Sequence, residues 1–248
     1  MHCRIYIDTT LAPHALVADA LIAHALIDID VHQTKYLQQV MRLQVGNVIT
    51  VFDGHGGEYR AELIQLAKAG GQCRLVEFID VQRELPCRVH IIQAANRSEK
   101  IETVLQKATE MGAFSFQVIN SERATLHLPS HKREKRLQRW QKIIIEAAEQ
   151  SERTALPSVV WHDHLNQASF SGKCFVLHPR DAKMWQAIRS DLQGVEDITL
   201  AIGPEGGWTK QELDYLQSQE FEPLCFGARV MRTETAAPAL LAAIQAVL

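Results

Sequence analysis

The chain lacks most of the features that would place it in several common classes. It holds no unbroken apolar run near the ~20 residues of a membrane span. Its first residues, MHCRIYIDTTLAPHAL, have neither the basic start nor the continuous apolar stretch of a secretory leader, so a cytosolic chain is expected. The five cysteines, Cys3, Cys73, Cys87, Cys174 and Cys225, include no C-x-x-C pair and are odd in number. That argues against a disulfide framework and for small buried hydrophobes. The eleven histidines come closest together at His162 and His164, with no second ligand pair at helical or finger spacing, so no metal is expected. A formal net charge of −3 supplies no global basic field, and nucleic-acid binding would have to come from local patches. Neither G-x-G-x-x-G nor a Gly-Lys-Ser/Thr phosphate loop follows a strand, which removes the dinucleotide and Walker readings.

What is present is a chain of 248 residues, 46% hydrophobic, enough for one large domain or two ordinary ones. From Val48 to Asp80 the pattern is that of strands. VITVF meets the hairpin dipeptide Asp53-Gly54, EYRAELIQL alternates Tyr59, Ala61 and Leu63 with Arg60, Glu62 and Ile64, and Gly70-Gly71 turns into CRLVEFIDV. Before it, Tyr36, Leu37, Val40 and Met41 stand at helical spacing. Residues 1–82 therefore read as a small β-barrel with one helix. Past Pro86 the grammar changes, with apolar strand-like runs alternating with helical segments over 83–248. The helices are expected at Ser98–Met111, from the basic stretch HKREKRLQRWQK to about Gln150, near Asp181–Leu192, from about Thr209, and at the end of the chain. Such alternation implies an α/β parallel sheet covered on both faces. The basic stretch sets six Lys or Arg against one Glu, which on charge alone reads as a solvated helix face.

Two glycine turns stand out. IGPEGGWTKQE, Ile202–Glu212, follows the apolar run ITLAI, and CFGARVMRTETAAPALLAAIQ, Cys225–Gln245, repeats the design of a short strand, a glycine and a polar cluster entering a helix. Glycine lets the backbone adopt φ > 0 and lets a ligand approach the main chain, and open parallel sheets bind ligands beyond the carboxyl ends of their strands. A purely structural turn is the competing reading of the first. In the second, Thr235 is expected to cap the last helix with Pro238 in its first turn. That leaves Arg229, Arg232 and Glu234 as charged groups gathered where a pocket should be.

Together these two turns resemble the cofactor loops of the SPOUT-class methyltransferases, and specifically of the 16S rRNA uracil-N3 methyltransferase family. EKIETVLQKATEMG, SERATL, RWQKIIIEAAEQSER and LHPR resemble further landmarks of that family in the same order, and LQQVMRLQVGNVITVFDG is similar to its N-terminal barrel. The resemblance implies an α/β trefoil-knotted parallel sheet with a PUA-like RNA-binding barrel, a homodimer, and S-adenosyl-L-methionine as methyl donor. The product it implies is 3-methyluridine in 16S rRNA of the small ribosomal subunit, near the decoding centre. It carries cofactor binding to Leu177, His178, Ile202, Gly203, Glu205, Gly206, Gly207, Phe226, Gly227, Val230 and Met231. Arg232 becomes the candidate for stabilising charge on the uracil oxygens, and Glu234 the candidate for accepting the proton or orienting Arg232. Arg4, Lys35, Arg42, Arg123, Arg136 and Arg153 become candidate RNA contacts, and EAAEQSER is implied to face the cofactor pocket or a partner subunit. The chain departs from the family at Lys35-Tyr36, where a His-His pair is common, and at Phe226 and Met231, which replace leucines. A 2′-O-ribose rRNA methyltransferase and a ribosome-assembly RNA-binding factor are the alternatives.

Overall fold

The computed structural model describes residues 3–11 and 25–248. Residues 1–2 and 12–24, which include part of the stretch read above for a leader, lie outside the described residues. Among the described residues no helix is long and apolar enough to cross a membrane. The chain divides into two compact units. The first takes in the residues up to Glu84 together with Ala148–Leu156, and the second takes in Leu85–Ala147 and Pro157–Leu248.

In the first unit, strands Arg4–Tyr6 (β1), Leu26–Ile29 (β2), Val48–Phe52 (β3), Glu58–Ala67 (β4) and Gly70–Ile79 (β5) form one sheet in the order β1-β3-β4-β5-β2. β1 runs parallel to β3, and the other pairs are antiparallel. The alternation read in β4 has its cause in the core, because Tyr59, Ala61 and Leu63 are buried with Ile5, Ile29, Leu37, Ile49, Val51 and Cys73. Helix α1, Val31–Lys35, begins where Asp30 Oδ1 accepts from the Gln33 N–H at 2.8 Å, and it continues into a wider π-type turn over Tyr36–Val40.

Two turns differ from expectation. Asp53-Gly54 is not a two-residue hairpin: the connection runs to Gly57, with Gly54, Gly56 and Gly57 all at positive φ. The Asp53 carboxylate accepts instead from the N–H groups of Leu11 and His55. Gly70 and Gly71 open β5, and the turn itself is Lys68-Ala69.

In the second unit, strands Arg88–Ala94 (β6), Ser115–Ile119 (β7), Ser158–His162 (β8), Lys173–Leu177 (β9), Lys183–Met184 (β10), Asp197–Ile202 (β11) and Glu222–Cys225 (β12) make a wholly parallel sheet, ordered β10-β12-β9-β11-β6-β7-β8. Near-continuous apolar runs such as Ile198–Ile202 belong to strands buried on both faces. The main helices are α2 (Ser98–Glu110), α3 (Ser130–Gln150), α5 (Lys210–Ser218) and α6 (Thr233–Gln245), with a short α4 (Trp185–Ile188). α2 buries its stripe Ile101, Val104, Leu105 and Ala108, and it ends at Gly112, whose φ is +91°. The expected helix over Asp181–Leu192 is instead β10, α4 and a 3-10 turn at Arg189–Leu192. α6 starts two residues before the expected cap, with Arg232 as its N-cap residue, so Pro238 stands in the second turn. Because proline has no N–H, the Glu234 carbonyl has no donor at the usual position four residues on.

Candidate functional site

The strand order β12-β9-β11 brings three carboxyl ends side by side, and the loops leaving them frame a cavity of about 750 Å³ within the second unit. Leu177 and His178 come from β9, Ile202 to Gly207 from β11, and Phe226 to Arg232 from β12. All the expected cofactor residues, Leu177, His178, Ile202, Gly203, Glu205, Gly206, Gly207, Phe226, Gly227, Val230 and Met231, line this one cavity. Leu224 and Ala236 extend its apolar wall, and Phe226 rests against Trp185 with ring centroids 5.9 Å apart.

The first glycine turn is held from several sides. A Cβ on Gly203 would come within 3.0 Å of the Trp208 indole, so the absence of a side chain lets that ring close beneath the loop. Gly207, at φ +69°, donates its N–H to the Pro204 carbonyl at 2.9 Å. Arg123 Nη1 donates to the Gly206 carbonyl at 2.8 Å. Thr209 then caps α5 in a capping box with Glu212, which also accepts from the Glu122 N–H.

Two further links join the first turn to the second. The Thr233 hydroxyl donates to the Gly203 carbonyl at 3.0 Å and accepts from Gln93 Nε2 at 2.9 Å. Nearer solvent, Lys100 Nζ pairs with Glu205 and lies 3.3 Å from Glu234 Oε2, while Arg232 Nη1 stands 3.9 Å from Glu234 Oε1. The hydrogen bond from Lys100 holds the Glu205 carboxyl below its ordinary range, and the same bond raises the Lys100 ammonium. Sequence reasoning missed Lys100, Gln93, Thr233 and Trp208. Lys100 and Gln93 stand in segments whose pattern announces core helix and core strand, so no sequence signal marks them.

The candidate RNA contacts divide. Lys35 and Arg42 are exposed on the first unit, and Arg123 is exposed at the cavity. Arg136 is tied to Ser98 and Glu102, and Arg139 makes a two-pronged pair with Glu102 at 2.7 Å, so these cations join α3 to α2.

Arg4 and Arg153 require correction. Arg4 is 8% exposed, bonds Glu58 and donates to the carbonyls of Ala148 and Arg153, while its guanidinium lies 3.7 Å from the Phe52 ring centroid. Arg153 is 4% exposed and paired with Glu84. Both guanidiniums are committed inside the first unit, which removes them from a phosphate-binding surface. Of the segment EAAEQSER, the residues from Ala148 onward belong to that same unit.

Comparison with known proteins agrees with this geometry. Residues 83–245 match the RNA methyltransferase domain, and residues 29–76 match the RNA methyltransferase PUA domain. The chain is 38% identical over 248 residues to ribosomal RNA small subunit methyltransferase E of Synechocystis sp., covering 96% of this chain and 78% of the relative. It belongs to the ribosomal RNA small subunit methyltransferase E family. Within that family, the Bacillus subtilis enzyme is 33% identical over 86% of each chain. A Neisseria gonorrhoeae member solved with S-adenosylmethionine bound superposes with a TM-score of 0.86 at 28% identity, over 100% of this chain and 98% of its own. A Legionella pneumophila methyltransferase, also solved with that cofactor, gives 0.87 at 30% identity, over 99% and 98%. The first unit is accordingly the family's PUA-like half-barrel sheet, and the second is its parallel α/β SPOUT methyltransferase domain.

Proposed function

We propose that this chain methylates N3 of a uridine in the 16S rRNA of the small ribosomal subunit, near the decoding centre, acting in the cytoplasm as a homodimer. The observation that carries the reading is the single cavity framed by both glycine loops, with Arg232 and Glu234 at the start of the helix that follows the second. The residues present fit S-adenosylmethionine. Leu177, Ile202, Leu224, Phe226 and Met231 offer apolar walls for a purine, and the glycine turns expose main-chain groups to its polar edge. Bound there, S-adenosylmethionine supplies an electrophilic methyl group.

What the chain's own side chains contribute follows from the nucleophile. The uracil N3 is an imide nitrogen that must give up its proton, and negative charge then spreads onto O2 and O4. Arg232, whose side chain is 81% exposed, is free to meet that charge. Glu234, 3.9 Å from Arg232, is the carboxylate nearest to it for taking up the imide proton. Arg123 fixes the Gly206 carbonyl, and Lys35 and Arg42 offer cations to RNA phosphates from the first unit.

The test is incubation with labelled S-adenosylmethionine and small subunits from a strain lacking the modification, followed by nucleoside mass spectrometry. 3-Methyluridine is expected. A ribose-methylated nucleoside would replace the nucleophile, and no label would favour an assembly factor. Light scattering after size exclusion checks the dimer, expected at twice 27.9 kDa.

A further inference from the structure

Lys100 stands in the first turn of α2, a helix that also buries an apolar stripe and holds α3 through Ser98 and Glu102. Its side chain, 24% exposed, reaches the cavity and meets two carboxylates from different loops, Glu205 and Glu234. Around the same cavity stand Arg123, Arg229 and Arg232, so cations outnumber carboxylates and Lys100 engages both Glu205 and Glu234. Arg97 and Arg232 also act on Glu205 through their charge.

A sulfonium methyl donor carries a positive charge that its demethylated thioether product lacks. How strongly a cavity prefers one over the other depends on whether its carboxylates are free or already neutralised by a cation of the protein. We propose that Lys100 is a specificity-determining residue of the donor cavity. It is an internal counter-ion that occupies Glu205 and Glu234, levels the affinities for charged donor and neutral product, and reserves the cavity's positive field for the anionic RNA. This inference rests on the proposed use of S-adenosylmethionine.

Calorimetric titration of S-adenosylmethionine and S-adenosylhomocysteine into the wild-type chain, Lys100→Met and Lys100→Arg tests it. Lys100→Met should shift the ratio of the two dissociation constants toward the donor by about three- to tenfold, an amount that shrinks as salt is raised. Lys100→Arg should keep the wild-type ratio. Equal change for both ligands, no change, or a shift toward the product would overturn the proposal. Lys100→Gln replaces Lys100→Met if circular dichroism shows the latter unfolded. Subunits methylated normally by the wild type, with an unshifted ratio in the variant, would sink this inference alone. A folded wild type that binds neither ligand would sink the methyltransferase reading and this inference with it.

Discussion

Arg232 has its nearest carboxylate 3.9 Å away, too far to fix a guanidinium that carries five N–H donors. Arg232→Ala should therefore lower kcat by about 10²-fold, as loss of a donor to a developing oxyanion does elsewhere, while the donor dissociation constant stays within about twofold. Normal turnover by this variant in single-turnover kinetics would end its assigned role. The glycines argue differently from one another. A Cβ at Gly227 would meet no atom within 4 Å, yet its φ is +88°, so Gly227→Ala suffers from the backbone alone. The strain of about 1–2 kcal/mol in the left-handed region should appear as weaker donor binding, about tenfold by calorimetry. Gly203→Ala would instead drive a methyl group against the Trp208 ring. Cys3 and Cys73 are inert for another reason, since burial pushes each thiol up to about 11.

At the scale of elements, α5 offers the sharpest test of local chemistry. Thr209 accepts from the Glu212 N–H at 3.2 Å, and Glu212 accepts from the Thr209 N–H at 2.9 Å. Thr209→Ala should cost about 1 kcal/mol, read as a lowered thermal midpoint, with Thr209→Ser recovering most of it. That helix was legible because its cap and its stripe are both local. So were β3 to β9 and β11, as alternating or near-continuous apolar runs, and α2 and α3, where apolar residues recur at helical spacing. β1 and β2 were not legible: three and four residues are too few to show a period, and their partners lie far along the chain. The start of α6 was missed because Thr235 looks like a cap, whereas the helix begins three residues earlier, with Arg232 as cap and Thr233 bonding Gly203. For the site, the glycine turns showed where a ligand belongs, and family resemblance supplied which ligand and the expected knot. Lys100 and Gln93 depend on contacts with other elements that no spacing encodes.

Across the whole molecule, the buried charges of the first unit set its response to acid. Burial opposes ionisation of Glu58, but hydrogen bonds and charges from Arg83 and Arg4 outweigh it and hold the carboxyl below its ordinary value of 4.5. The folded value lies below the unfolded one, so this stabilisation is full above that pH and is lost as pH falls through the folded value. Thermal melts should show an early transition that moves down in acid, and Glu58→Gln should flatten that slope. At neutral pH the same variant should cost about 3–5 kcal/mol, because Arg4 would be left buried without its counter-charge. The carbonyls that Arg4 also needs, those of Ala148 and Arg153, come from the far side of an intervening stretch of the second unit. During synthesis Arg4 thus emerges with Glu58 in the first 84 residues, while two of its carbonyl acceptors are added only with residues 148 and 153. The apolar core of the first unit comes from residues that all precede the second unit, whereas the last acceptors of Arg4 follow more than sixty residues of it, which ties the finishing of one unit to translation of the other.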